Sequence, residues 1–384
     1  MDWPNVGVMR ERTEAAMLEL AQHPDIATIE ENCYVQKHTT DAAGSLVGSA
    51  VATLVPNDPS SSKQWSLPVI HAPEAWSMTT GRSNVIVAVL DSGIDIWHTD
   101  LQDNIWMNEK EAKGQPGIDD DGNGYVDDIY GYNFAEGNSN PFPGPDFSDA
   151  HGTHIAGIIG AKGNNGIGVA GLNWNVQLMS VRVFPSSGQP TVAEMLAGVY
   201  YAVNNGARII NCSWGGVGVS TQAENQAFAY ALYNNVLPVV SAGNDSLDSS
   251  RSTPANIPGV FVVGASSDAN DLAHFSNYGN GVQILAPGTQ IYSTIPNSQY
   301  AYMTGTSMAA PFVAGAAALL LAMNPAFSQF ELQQILTLSA QKLNVTTSPG
   351  HNSRTQYPLL DLAAALRLAR QRLGQTAELQ PGTY

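Results

Sequence analysis

From Asn84 onward the chain alternates short β-branched runs with helical stretches, and this alternation constrains the fold more than any other feature. The runs are "NVIVAVL", "VQLMSVRVF", "ARIINCS", "VLPVVSA" and "GVFVVGA". Each is apolar almost throughout, as a strand covered on both faces must be; a strand with one wet face would alternate instead. Helical patterns over 192–204 and 222–234 lie between them. Strand, helix, strand, helix in that order predicts an α/β fold, with a mostly parallel central sheet and helices on both faces. The stretches "FSQFELQQILTLSAQKL" and "LLDLAAALRLARQRL" add two amphipathic helices.

Composition narrows the function classes. With 384 residues, 43% of them hydrophobic, the chain can bury a large core. Its net charge of −17, with only 16 Lys and Arg, argues against a nucleic-acid partner. The most apolar stretch, "MAAPFVAGAAALLLAM", carries Pro311 and Gly315 and stops at Asn324-Pro325, so no membrane span is expected. Cys33 and Cys212 form neither a disulfide framework nor a metal-binding spacing, and Cys212 in "RIINCSW" reads as a buried strand residue. The first residues lack the charged-then-apolar pattern of a signal peptide.

In such a sheet, reactive groups gather where strands end and helices begin. Three polar blocks fall at such places: "VAVLDSGID" with Asp91, "AHGTHIAGIIG" with His151 and His154, and "GTSMAAP" with Ser307. Singly, each has an ordinary explanation as a cap or a turn. Together they hold what a serine nucleophile requires: a histidine to take its proton, and a carboxylate to orient that histidine.

These blocks, with "SWGG" and "SAGN", resemble those of the subtilisin-like serine proteases, or subtilases, in that family's Asp, His, Ser order. The similarity runs from about Asn57 to Leu373. It implies a subtilisin-like fold and a serine endopeptidase working through an acyl-enzyme. His151 would be the general base, Asp91 its orienting partner and Ser307 the nucleophile. The Asn244 amide would join the Ser307 backbone N–H in stabilising the oxyanion. Ser213, Trp214, Gly215 and Gly216 would form the edge strand that pairs with a peptide or protein substrate.

Two calcium sites are expected. "IDDDGNGYVDDI" places oxygen donors at Asp119, Asp121, Asn123, the carbonyl of Tyr125, and Asp127 or Asp128, with Gly124 in sixth place. It departs from an EF-hand at its twelfth position, Tyr130 in place of Glu, and lacks the flanking helices. The second site is implied only by the family resemblance. It would use Asp58, Asp100, Asn165 and groups near Gly163, Ile167 and Val169.

Residues 1–45 resemble the end of a subtilase propeptide, a small α+β segment that would act as an intramolecular inhibitor. Only its second half is matched, which leaves two readings open: a start cut short, or a divergent extension with no inhibitory role. Residues 46–60 read as a linker and processing region, 61–373 as the catalytic domain and 374–384 as a tail. Family habit implies a secreted, extracellular monomer. Two other functions share these residues: an inactive peptide-binding module, and a peptide ligase or cyclase using the same triad.

Overall fold

A computed structural model describes residues 52–143, 147–187, 190–345 and 356–378. The propeptide-like segment 1–45 lies outside the described residues.

In chain order the strands are β1 (Gly81–Asp91), β2 (Gly131–Asn133), β3 (Asn175–Arg182), β4 (Ile209–Cys212), β5 (Gly216–Val217), β6 (Leu237–Ser241) and β7 (Ser252–Thr253). They continue with β8 (Phe261–Ser266), β9 (Ile284–Pro287), β10 (Ile291–Ile295), β11 (Gln299–Met303), β12 (Gln341–Asn344) and β13 (Gln356–Leu359). Nine of them form one sheet in the order β12-β13-β9-β8-β6-β4-β1-β3-β2. Every pairing in it is parallel except β12 with β13.

The apolar runs form its centre because both of their faces are buried. Along β1, Val87 and Val89 face one core while Ala88 and Leu90 face the other. Ile209 and Ile210 divide the same way in β4, as do Val239 and Val240 in β6. One core holds the helices His151–Gly160 and Thr306–Met323; the other holds Val192–Asn204 and Gln222–Tyr233. Capping boxes start three helices, at Thr191 with Glu194, Thr221 with Glu224 and Ser328 with Glu331.

The Thr306–Met323 helix is long and apolar enough by composition to cross a membrane, yet 89% of it is buried inside the protein. It stays helical through Pro311. Two boundaries differ from expectation. The helix predicted over "FSQFELQQILTLSAQKL" ends at Ser339, and Gln341–Asn344 forms the antiparallel edge strand β12. The last helix continues through Glu378, past the position where a tail was expected to begin.

β1 lies at the switch in strand order. From it the chain runs to β2 and β3 on one side, then crosses to β4, β6 and β8 on the other. The ends of β1 and β4 thus lie at such a switch point, which is where α/β sheets place their ligands.

Candidate active site

Asp91 closes β1 and is buried, and its Oδ1 lies 2.8 Å from His151 Nδ1. The same oxygen accepts the Ser92 N–H at 2.8 Å. The Ser92 hydroxyl donates to the Asp149 carbonyl at 2.8 Å and accepts the Gly152 N–H at 3.0 Å, tying the strand end to the start of the histidine helix. Gly152 permits this approach, since a Cβ there would lie 2.4 Å from the Gly93 carbonyl oxygen. His151 opens the helix with its side chain 31% exposed, so its far nitrogen remains reachable. Burial acts to lower its pKa, but the Asp91 charge and hydrogen bond more than offset this, and the pKa is raised.

His154, one turn on, is a different kind of histidine. It is fully buried, and its Nε2 lies 3.0 and 3.1 Å from the carbonyls of Ile291 and Ala301. Burial pulls its pKa down to about 3, so it is a neutral core residue.

Ser307 is the second residue of the Thr306–Met323 helix, after Gly305 in extended conformation. The first N–H groups of a helix have no partner within it, which favours an anion at this end. Pro311, four residues on, has no N–H for the Ser307 carbonyl. The Ser213 hydroxyl takes that carbonyl instead, at 2.8 Å. The Ser307 hydroxyl in turn donates to the Ser213 carbonyl at 3.1 Å, so it is bonded to Ser213 rather than to His151. The end of β4 and the start of the helix are thus stitched together around the serine.

Asn244 lies after β6. Its Oδ1 accepts both the backbone N–H and the hydroxyl of Thr306, at 2.9 and 2.8 Å. Its Nδ2 and the Ser307 N–H flank one point beside Gly305, each nitrogen 3.6 Å from where a Cβ on that glycine would stand. The helix that opens with Ser307 packs against the one that opens with His151. A serine hydroxyl, two converging donors and a histidine paired to a buried carboxylate are a set suited to acyl transfer.

The "SWGG" residues divide. The Trp214 indole turns inward, is buried, and donates to the Leu90 carbonyl at 3.1 Å, so its side chain is a wall of the core. Gly215 packs against β7, while Gly216 in β5 pairs with Thr253 and has no atom within 4 Å of where a Cβ would be.

Of the expected loop ligands, Asp121 and Asp128 come together, and the third member of their cluster is Glu111, which spacing had not suggested. Ligand oxygens of these three lie within 4.8 Å of one another. Asn108 and Asn123 donate to the Asp128 carboxylate, each at 3.0 Å, and Tyr201 donates at 2.5 Å. Burial pushes Asp128 up to about 6. Asp119 instead accepts the N–H groups of Gly122, Asn123 and Gly124, and Asp127 accepts that of Gly117. The Tyr125 ring packs with Tyr132, Phe134 and Tyr201.

The second set also assembles. Asp58 accepts the N–H groups of Asn164 and Asn165, at 2.7 and 3.3 Å. Asp100 accepts from the Asn165 amide and the Val169 N–H, both at 2.9 Å. The Ile167 N–H donates to Asn165 Oδ1, and Gly163 packs against the Trp174 ring. Burial raises Asp58 and pushes Asp100 up to about 6.

Comparison with known proteins places the chain. The model of the subtilase family matches residues 82–356. The chain is 36% identical over 272 residues to the thermophilic serine proteinase of Bacillus sp. (strain AK1), covering 71% of this chain and 60% of that protein. It is 37% identical over 286 residues to subtilisin Savinase of Lederbergia lenta, covering 74% and 94%. The match thus spans less than two thirds of the first relative and nearly all of the second. Among solved structures, a protease of Pseudoalteromonas arctica PAMC 21717 superposes with a TM-score of 0.65 at 30% identity, covering 82% of this chain and 99% of its own. A cold adapted subtilisin-like serine proteinase superposes with a TM-score of 0.58 at 29% identity, covering 72% and 88%. The mostly parallel sheet is therefore the subtilisin-like fold, and with a family match that takes in Asp91, His151, Asn244 and Ser307, the chain belongs to the subtilase family.

Proposed function

We propose that this protein is a serine endopeptidase that hydrolyses peptide bonds through an acyl-enzyme. The observation that carries the proposal is the 2.8 Å pair of buried Asp91 and half-exposed His151, together with Ser307 at a helix start where its own N–H and the Asn244 amide flank one point. On substrate binding, the Ser307 hydroxyl leaves the Ser213 carbonyl by rotation about χ1 and turns to His151. Its oxygen attacks the scissile carbonyl as His151 Nε2 takes its proton. Asn244 Nδ2 and the Ser307 N–H receive the oxyanion. Collapse breaks the C–N bond, and His151 returns the proton to the leaving amine. Water then repeats the sequence on the acyl-enzyme and restores Ser307. Asp91 holds Nδ1 protonated throughout, so that Nε2 is the basic nitrogen. The Gly216 edge leaves room for the substrate backbone to add beside β5.

Calcium fits both acidic sets. Three carboxylates held within 4.8 Å, one of them fully buried, repel one another unless a cation or protons neutralise them. Glu111, Asp121 and Asp128 would hold one ion, with Asn123 contributing its amide oxygen after a flip. Asp58, Asp100 and Asn165 would hold the other. The cation would supply charge neutralisation and lock the loops. The protein is further proposed to be secreted as a zymogen and to act outside the cell, where calcium is plentiful, as a monomer with residues 1–45 as its inhibitor.

The test is intact mass over time, with calcium, of the purified chain beside its Ser307→Ala variant, followed by a peptide substrate. Self-cleavage between Val35 and Asn57 in the parent alone supports both protease and zymogen. A parent that stays whole yet cleaves the peptide retains the protease and removes the zymogen. A parent with no activity on either overturns the proposal.

A further inference from the structure

Asn244 stands on a loop, and a donor on a loop is only as well placed as whatever holds that loop. Beneath it lies Asn277, fully buried, with every hydrogen-bonding position of its amide in use. Oδ1 accepts the N–H groups of Asp245 and Leu247, at 3.0 and 2.9 Å. Nδ2 donates to the Ala242 carbonyl and to Ser252 Oγ, both at 2.9 Å. The Asn277 N–H donates to the Gly243 carbonyl at 2.9 Å. Gly243, at φ +104°, packs so close that a Cβ would stand 2.3 Å from Asn277 Nδ2.

These bonds have a pattern. Ala242 and Gly243 precede Asn244, Asp245 and Leu247 follow it, and one residue grips both flanks. The remaining bond goes to Ser252 in β7, the strand that pairs with the Gly216 edge. We propose that Asn277 is a positioning residue: its one amide sets the oxyanion donor Asn244 and the wall of the substrate cleft in a common frame. The inference rests on the serine endopeptidase reading. Side-chain chemistry explains the choice of residue. An Asp there would keep the two acceptor bonds but turn an oxygen against the Ala242 carbonyl, and an Ala would leave four polar groups without partners. "HFSNYG" carries no spacing that marks this residue, because its partners lie 25 to 35 positions away.

A double-mutant cycle tests it, using Asn277→Asp, Asn244→Ala and the pair, with kcat and KM on a peptide substrate. Binding of a peptide aldehyde, which adds the Ser307 hydroxyl and places its oxygen between the two donors, is compared with the matching peptide alcohol, which does not. Asn277→Asp is expected to lower kcat by about tenfold or more and to weaken the aldehyde by a similar factor, with alcohol affinity little changed. With Asn244→Ala already present, the further loss should shrink to under about threefold. Equal losses in both backgrounds, or an unchanged kcat, overturn the proposal. Asn244→Ala alone separates the two levels. If it leaves kcat unchanged, the oxyanion reading fails; if it lowers kcat while Asn277→Asp acts independently, only the role of Asn277 fails. Should Asn277→Asp not fold, Ser252→Ala removes just the bond to β7. The proposal then requires KM to rise with kcat held within about twofold, and a fall in kcat at constant KM overturns it.

Discussion

Thr306 gives both of its donors to one acceptor: its backbone N–H and its hydroxyl reach Asn244 Oδ1 at 2.9 and 2.8 Å. An amide flipped the other way would set its NH₂ against two donors, so this pairing fixes which end of Asn244 is left for the carbonyl of the proposed reaction. Thr306→Val keeps the shape and removes the hydroxyl. It is expected to lower kcat about tenfold with KM nearly constant, the cost of one buried hydrogen bond, while Thr306→Ser retains most of the activity. Equal losses for Val and Ser would mean that shape, not the hydroxyl, matters there. Asn244→Ala should cost more, about 10²–10³-fold in kcat, a magnitude established on subtilisin itself and carried over here.

On the proposed mechanism the Asp91–His151 pair should set the acid limb of activity. His151 acts as a base only when neutral, and its pKa is raised, so kcat/KM should climb with pH along a limb lying above the ordinary imidazole value. Asp91→Asn removes the charge that raises it. The limb should move to lower pH while the plateau falls by about 10⁴, because the charge that steadies the imidazolium is gone and an amide NH₂ facing Nδ1 favours the wrong tautomer. A limb that stays in place would show that some other group titrates. The sign for stability is opposite. The protonated pair contributes stability that is fully present below the unfolded pKa and lost as pH rises through the raised folded value.

Gly152 tests how closely the histidine helix must approach β1. A Cβ at this position meets backbone, the Gly93 carbonyl oxygen at 2.4 Å and the Asp91 Cβ at 3.1 Å, so relief has to come from the helix end itself. Gly152→Ala is expected to destabilise the fold by about 1–3 kcal/mol and to cut kcat by more than tenfold, since the moving residue is next to the base. Full activity with lowered thermal stability would show that the helix end yields without shifting His151.

The sequence showed some of this site and hid the rest, for physical reasons. β1, β3, β4, β6 and β8 were legible because burial on both faces demands unbroken β-branched runs. Polar residues at strand ends and helix starts stood out against that background, which is how Asp91, His151 and Ser307 became candidates, while Asn244 entered only through the family resemblance. Short strands such as β2 and β10 were missed because their pairing depends on where distant strands lie. Asn277, Thr306 and Glu111 were missed for a related cause: each acts on a neighbour that only the fold brings near. Glu111 is the plainest case. It sits on a short helix outside the acidic loop, and its carboxylate accepts the N–H groups of Asp120, Asp121 and Asp127. Asp119 has the spacing of a ligand, yet the fold spends it on loop amides. Even the expected helix over "SAQKL" was lost to an edge strand that needed β13 as its partner.

Calcium, if these loops hold it, should remove the fall of stability with rising pH. Without a cation, Asp128 and Asp100 titrate near 6 in the folded protein, pushed up by burial from an ordinary value of 3.8. Between those values the folded state holds protons that the unfolded state has released. Stability should therefore fall as pH rises from about 4 to about 6, by on the order of a few kcal/mol in all. A bound cation stabilises the ionised carboxylates, lowers their pKa and removes that slope. The measurement is thermal unfolding from pH 4 to 8 in excess chelator and in millimolar calcium. The two curves should meet near pH 4 and diverge above it, with the calcium form more stable. Asp128→Asn and Asp100→Asn should each remove part of the chelated slope and part of the calcium response, and together most of both. Curves that coincide at every pH would leave these acidic loops as protein-satisfied turns and take calcium out of the account of this fold.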